Sequence, residues 1–567
     1  MYIESVPNRN SPPAILLREA WRDGKKTGKR TLANLTHWPQ DQIEAFRRLL
    51  RGDKMVPVDE AFAIKRSLPH GHVAAVLGTI RKLGLDRLIA AKRSRERDVV
   101  VALVVERILH PGSKLASTRT WRSSTLAEEL GVVEVDVDEV YSTLEWLLRG
   151  QRRIEKKVAS RLLSEGGVAL YDLSSSSYYG RKCPLARLGK NRDGKKGVAC
   201  IAYGLLTDRD GRPVSIDVYP GNTGDPSTVV DQVEKLKDRF KLSRVVLVGD
   251  RGMLTETQID NLRKYPGVGW ISALRSSQIR ALVDSGALQM SLFDEKNLAE
   301  ISSLDHPDER LVACFNPLLA DERRRKRQDL LQATEDSLIR IAAQVRRRTK
   351  KPLLKDEIGV KVGKVINRYK VGKHFTLKIK DNHLSWQRRE DAIGRESALD
   401  GIYVIRTSEP GKRLLAEDAV RDYKRLTLVE KAFRCLKSID LRVRPIWLRQ
   451  EHHVRAHFFL CMLAYFVEWH MRQALAPLLF HDEELEEARD HRDPVAPAKP
   501  SASAQKKKLT RQTGDGLPLN SFSDLLTELS TLCRNDCQMK SIDGSPTFAM
   551  LTEPTTLQAR ALDLLGV

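Results

Sequence analysis

At Gly167 the chain passes from helical to strand-forming periodicity, and this change of period constrains the fold class more than any other feature. The runs VALYDLS, VACIAYGLLTD and RPVSIDVYP are rich in aliphatic and β-branched residues and are separated by turn residues. A helix is predicted over 226–240, then the strand RVVLVGD, a second helix over 255–264 and the strand VGWISAL. Three strands, helix, strand, helix, strand is an α/β plan on a mixed sheet. Between about 310 and 400 the pattern breaks: a long charged helix over 318–348 and the strand-like runs HFTLKIK and HLSW read as an inserted α+β segment. The strand GIYVIRTS resumes the sheet at 401–408, and helices dominate 413–477.

The flanks are read more coarsely. Residues 1–60 form a small β-hairpin and helix module, with two apolar stretches in 13–35 flanking a turn at 23–28 and a helix over 40–50. Residues 61–165 form a helical region, with helices predicted at 99–109, 113–121, 124–130, 136–148 and 155–163. Short helices with Gly-bearing turns and scattered Arg suit a helix-turn-helix and a plain bundle equally. The α/β domain then comprises 166–309 and 400–480, split by the insertion at 310–399; 481–516 has linker composition, and 517–567 reads as a loosely attached tail.

Charge narrows the partner. Lys and Arg number 97 against 74 Asp and Glu, a net +23, which suits a polyanion, with nucleic acid the first candidate. No basic segment followed by an apolar core opens the sequence, so no secretory leader is predicted. The most apolar run, 458–467, is too short to span a bilayer and reads as a buried helix, which points away from a membrane partner. The seven cysteines are scattered, no second pair completes a zinc site beside Cys533 and Cys537, and they read as reduced thiols of a cytoplasmic protein. No Gly-x4-Gly-Lys-Ser/Thr phosphate loop is present, so ATP dependence is not indicated.

Two acids follow buried apolar runs in the α/β part: Asp172 at the end of VALYD and Asp250 at the end of RVVLVGD. Sites gather beyond the carboxyl ends of such strands, although Asp also caps strand ends and starts turns. A third acid, Glu430, lies on a predicted helix whose apolar stripe is Leu426, Val429, Phe433 and Leu436 and whose polar stripe is Tyr423, Thr427, Glu430, Arg434 and Lys437. Over 421–449 there are nine Lys and Arg against three acids, so Glu430 is a lone acid on a basic face. An i,i+4 ion pair with Arg434 is the alternative reading of that position.

Together these residues resemble the DDE transposases of bacterial insertion sequences, in the group with a Tyr-x2-Arg-x3-Glu-x6-Lys signature. Tyr423, Glu430 and Lys437 match in register; Leu426 stands at the Arg position, with Arg425 one residue away. Asp172-Leu173-Ser174 matches the first-carboxylate motif and Gly249-Asp250-Arg251-Gly252-Met253 the second. The resemblance covers about residues 5–477 and implies a ribonuclease-H-like fold with an extra domain between Asp250 and Glu430. It implies that Asp172, Asp250 and Glu430 are catalytic and hold two Mg²⁺ or Mn²⁺ ions, hard cations suited to carboxylate oxygens. It implies that Tyr423, Arg425, Arg434 and Lys437 bind DNA, and that the chain binds terminal inverted repeats and target DNA as a homodimer in the bacterial cytoplasm, on the nucleoid. The implied reaction is cut-and-paste transposition. A nuclease of the same fold that cuts without joining, and a DNA-binding protein without chemistry, are the alternatives.

Several other signals carry a plainer reading beside a functional one. His453 and His457 stand at a spacing that can ligate zinc, but no Glu intervenes in the protease pattern, so a structural or DNA-contacting role is expected. The serines at 174–177 lack a nucleophile elbow and read as a loop beside Asp172. Trp386 stacks on an unpaired base or fills a core. The clusters at 323–327 and 346–348 track a phosphate backbone or form a solvated helix face.

Overall fold

The strand pattern that begins near Gly167 forms an eight-stranded mixed sheet. Its strands are β1 (Val168–Ser177), β2 (Cys200–Asp208), β3 (Pro213–Pro220), β4 (Val245–Val248), β5 (Val268–Ala273), β6 (Leu298–Ile301), β7 (Arg310–Phe315) and β8 (Ile402–Thr407). They lie in the order β6-β7-β8-β5-β4-β1-β2-β3. β1, β2 and β3 are joined as antiparallel hairpins, β4 and β5 run parallel to β1, and β8, β7 and β6 extend the sheet antiparallel. The computed structural model describes residues 1–9, 11–53, 61–540 and 546–567; the expected boundary at residue 60 and residues 541–545 of the expected tail lie outside the described residues.

The described residues divide into two units: Met1–Leu68 with Cys533–Glu553, and Pro69–Leu532 with Pro554–Val567. In the first, Ala14–Asp23 and Lys26–Asn34 form the expected hairpin, with Gly24 at φ +58° in the two-residue turn where a side chain would be strained. Tyr2–Val6 adds a third strand that the sequence does not announce, because five residues of mixed polarity carry too little periodicity. Helix Gln40–Leu50 follows. A second sheet, in the order Phe548–Leu551, Cys533–Met539, Phe62–Pro69, completes this unit.

The second unit opens with α1 (Gly71–Leu83), α2 (Arg95–Leu109) and α3 (Val137–Leu162). Two helices are expected over 136–148 and 155–163, but α3 is one 26-residue helix that passes through Gly150. Val140, Leu144, Leu147, Ile154 and Val158 are buried along one continuous stripe. Their burial, about 1.5–3 kcal/mol for each large side chain, outweighs the roughly 1 kcal/mol that Gly costs within a helix. Asp136 caps the start by accepting from the amide of Glu139.

The chain leaves the sheet after β7. The segment between β7 and β8 holds α4 (Pro317–Arg347), α5 (Lys355–Tyr369), a ribbon of Phe375–Lys380 with His383–Arg388, and the helix Glu390–Ser397. β7 itself, assigned by sequence to the insertion, belongs to the sheet: Leu311, Val312, Ala313 and Cys314 are buried and pair with β8. Of the cluster at 323–327, residues 323–326 are exposed, while Arg327 is buried on Asp400. Trp386 is half-buried and packs against the small core of this excursion.

After β8 come α6 (Ala416–Lys424), α7 (Leu426–Arg434) and α8 (Glu451–Ala474). The apolar run 458–467 is buried within α8, as expected. α8 packs against α1, α2, α3 and β3, so residues from 69 onward share one core with the sheet rather than standing as a separate helical region. On the opposite face the sheet is covered by Val229–Glu234 and Glu256–Leu262. Among the described residues no helix is long and apolar enough to cross a membrane.

The C-terminal part differs from the expectation of a loose tail. Phe522, Leu525, Leu526 and Leu529 are buried on helix Phe522–Ser530. Leu557, Ala561 and Leu565 are buried on helix Thr556–Leu565, which packs on α1. The spacing of the first set is that of an amphipathic helix, and Thr555 with Gln558 forms a capping box; both signals are legible in the sequence. Leu529→Ala is expected to destabilise the protein by about 2–5 kcal/mol, as for other buried leucines, read from the denaturant midpoint. A change within about 0.5 kcal/mol, the range of surface substitutions, would show the tail to be peripheral.

Candidate active site

Register brings two of the acids together. β1 pairs with β4 through Val168 with Val246, Ala169 with Leu247 and Leu170 with Val248. Carried two residues further, the same register sets Asp172 beside Asp250, and neighbouring strands lie about 4.8 Å apart. Asp172 is not at a strand end, as its sequence context suggests. β1 continues to Ser177, and Asp172 pairs with Leu205 of β2. It is β4 that stops, at Val248, and beyond it side chains take its place: the amide of Ser177 donates to Asp193 and the carbonyl of Ser175 accepts from Lys437.

The serines at 174–177 continue β1 instead of forming a loop and are buried. Their polar groups are satisfied locally, which is what lets them enter a sheet. Ser175 Oγ donates to the carbonyl of Lys190 (2.8 Å), Ser176 Oγ meets Tyr203 Oη (2.9 Å), and the amide of Ser177 donates to Asp193 (2.8 Å).

Asp250 also builds its own turn. Its Oδ1 accepts from the amides of Gly252 (3.0 Å) and Met253 (2.7 Å), so turn-forming and site-forming roles coexist in one side chain. Asp172 Oδ1 accepts from the amide of Leu173 (2.7 Å). Burial first, and then the charge of Asp250, push the Asp172 carboxyl up to about 7. Arg192 opposes this shift, but its guanidinium is already paired with Asp225 (2.7 Å). Two neighbouring carboxylates without a dedicated cation among the described residues are a donor set suited to an added divalent ion.

Glu430 stands on α7, which Val429, Ala432 and Phe433 anchor to the sheet face carrying Leu170 and Val248. Phe433 meets Tyr203 of β2 edge-on at 5.6 Å. Glu430 is exposed, and among the described residues no ion pair joins it to Arg434, which is also exposed. Tyr423 links the groups: burial raises its phenol to about 12, with the charges of Asp250 and Glu430 both acting in the same direction. The three acids do not form a set whose ligand oxygens all lie within 4.8 Å of one another.

The four expected DNA contacts fall into two kinds. Tyr423 is half-buried beside the acids and Arg434 faces outward. Arg425 is buried at the break between α6 and α7, with Asp422 at 3.5 Å and Asp210 at 3.4 Å. Lys437 donates to the carbonyl of Ser175 (2.8 Å) and lies 3.4 Å from Asp193, which also holds Arg444 at 2.8 Å. Burial pulls the Lys437 amine below its ordinary range. Asp193, Arg192 and Asp225 escape sequence reasoning because Asp-Gly and Asp-Pro read as ordinary turn signals.

The zinc-compatible spacing on α8 is not used as a pair. His457 is buried, with Nδ1 at 3.1 Å from Lys114 Nζ and Nε2 at 3.1 Å from the carbonyl of Val443, whereas His453 faces Glu145. All seven cysteines are free thiols.

Residues 178–467, just over half of the chain, match the family model of the transposase DDE domain. The match includes Asp250 and Glu430 and begins shortly after Asp172. Residues 3–56 match the N-terminal domain of IS1634 family transposases. No curated protein matches the chain. Among solved structures it is similar to the cryo-EM structure of a piggyBac transposase synaptic complex with hairpin DNA, at 12% identity and a TM-score of 0.25, covering 78% of this chain and 88% of that one. The chain belongs to the DDE transposases of the insertion-sequence families, enzymes of the polynucleotidyl-transferase and endonuclease class.

Proposed function

We propose that this transposase binds the inverted-repeat ends of its element, cuts the DNA there and joins the freed 3′ ends to target DNA, on a ribonuclease-H-like core in which Asp172, Asp250 and Glu430 are the catalytic carboxylates. The observation that carries this reading is the β1–β4 register, which sets Asp172 beside Asp250 with no cation of their own, beneath a helix that carries Glu430. Two Mg²⁺ or Mn²⁺ ions held by these acids would supply activation of the attacking oxygen and stabilisation of the leaving one.

The chain's own residues do the positioning. Asp250 is fixed by two backbone amides, so its second oxygen has a defined direction. Glu430 is exposed on a helix packed on the sheet face that carries Leu170 and Val248. Tyr423 and Arg434, in register with the Tyr-Arg-Glu-Lys signature or one turn beyond its Glu, contact backbone phosphates. Arg425 and Lys437 serve DNA binding by pinning the two ends of α7, the first to Asp422 and Asp210, the second to Ser175 and Asp193. The exposed arginines of α4 extend the phosphate track. Joining two ends calls for two copies of the chain acting as a homodimer on DNA, in the cytoplasm at the nucleoid.

Asp172→Asn, Asp250→Asn and Glu430→Gln are each expected to lower Mg²⁺-dependent cleavage about 10³-fold or more, since each removes several kcal/mol of transition-state stabilisation, while end-sequence binding persists. Normal cleavage by any one of them would remove that residue from the site. Given a pre-cut 3′-hydroxyl end, target DNA and Mn²⁺, joined product is expected; cutting alone would leave a nuclease, and metal-independent binding without chemistry would leave a DNA-binding protein.

Arg434→Ala is expected to reduce the slope of log affinity against log salt by about one phosphate contact; an unchanged slope would take Arg434 off the DNA. Asp172 gives a stability signature. Its folded-state value, about 7, lies above the ordinary carboxyl value of about 3.9, so ionising it costs folded-state stability. That cost is absent below about pH 4, grows as pH rises and is complete above about pH 7. Asp172→Asn should therefore raise the melting temperature of the metal-free protein at pH 8 but not at pH 4; an equal shift at both would reject the assignment.

A further inference from the structure

His453 does not act with His457. It acts with two other residues. His452 and His453 occupy the first turn of α8, and Glu145 lies on α3. The Nε2 atoms of both imidazoles lie 3.1 Å from one oxygen of Glu145, and the three donor atoms all fall within 4.8 Å of one another. Tyr141, one helical turn before Glu145, stacks on the His453 ring at 4.7 Å and 28° and fixes its plane.

The spacing fits a small tetrahedral ion. Donors about 2.0–2.2 Å from zinc stand about 3.3–3.5 Å apart at tetrahedral angles, close to the observed His–Glu separations. Two imidazole nitrogens and one carboxylate are ligands for a borderline transition metal, and magnesium prefers oxygen alone. No Lys or Arg is ion-paired with Glu145 among the described residues; its partners are the two histidines. The other set of comparable closeness, Cys435, Asp440 and Glu468, is different in kind. Arg472 already fills it, donating to Glu468 at 2.6 Å and reaching Asp440 at 2.8 Å, so a cation has no place there.

We propose that Glu145, His452 and His453 form a binding site for a divalent transition-metal ion, Zn²⁺ by ligand chemistry, that clamps α3 to α8. His452 and Glu145 are 45% and 42% exposed, so the ion has an entry path and the fourth position is open to water. The site borders a cavity of about 610 Å³ lined by Tyr141, His453, Lys114, Arg444 and Trp447, which places the open position beside a basic hollow. It is independent of the carboxylates at Asp172, Asp250 and Glu430.

The test uses the full chain with Co²⁺ as probe, in buffer with excess Mg²⁺ to occupy all-oxygen sites. One equivalent of Co²⁺ is expected to give visible absorption of a nitrogen-ligated ion, displaced by Zn²⁺. Glu145→Gln and His452→Gln, both at exposed side chains, should weaken Co²⁺ binding about 10–100-fold, the range for disturbed metal sites. Zn²⁺ should also raise the melting temperature of the unsubstituted protein but not of these variants, because a ligand that binds only the folded state stabilises it. No Co²⁺ uptake in the presence of Mg²⁺, or uptake unchanged in both variants, overturns the proposal. None of these readouts involves DNA, so they stand or fall apart from the transposition chemistry.

Discussion

The burial of α8 is the constraint on which the rest of the larger unit depends. From Val454 to Val467 this helix presents apolar side chains in nearly every direction. A helix of that kind is stable only when surrounded. Three N-terminal helices and the outer strand β3 supply the surround, and the sheet face they leave is where α7 settles. The position of Glu430 is thus a consequence of hydrophobic packing: Val429 and Phe433 bury on one side of α7, and the acid one residue along is carried to the rim of the same face.

The acids work against the fold that holds them. Asp172 and Asp250 are set side by side by strand register, and Asp172 is pushed toward its protonated form as a result. Several other buried charges are paired: Arg327 with Asp400, Arg406 with Glu309, Arg472 with Glu468. Leaving one carboxylate pair without such a partner is the kind of local conflict that accompanies function, since a polar or charged group retained at a cost in stability has another use.

Legibility tracks period and length. The strands β1 to β5 and β8 can be read because each is a short, strongly apolar run bounded by turns, and Asp250 can be placed because RVVLVGD ends abruptly. Asp172 is visible as a candidate but not as a mid-strand residue, because four serines do not look like a buried strand until Tyr203, Lys190 and Asp193 are seen to satisfy them. β7 reads as part of the excursion because its sheet partner, β8, lies far along the chain, and no local signal reports a long-range pairing. The roles of Lys437 and Arg425 are hidden for the same reason. Both look like free cations on a helix, and only the fold reveals Asp193 and Asp210 beside them.

The docking of helix Thr556–Leu565 on α1 closes a circuit across almost the whole polypeptide, with Lys82 donating to the carbonyl of Leu565 at 2.7 Å over 483 positions. During synthesis the patch of α1 beneath this helix therefore stays uncovered until residues 556–565 have been made. A product cut short before residue 556 leaves that patch of apolar surface exposed, and exposed apolar surface promotes aggregation.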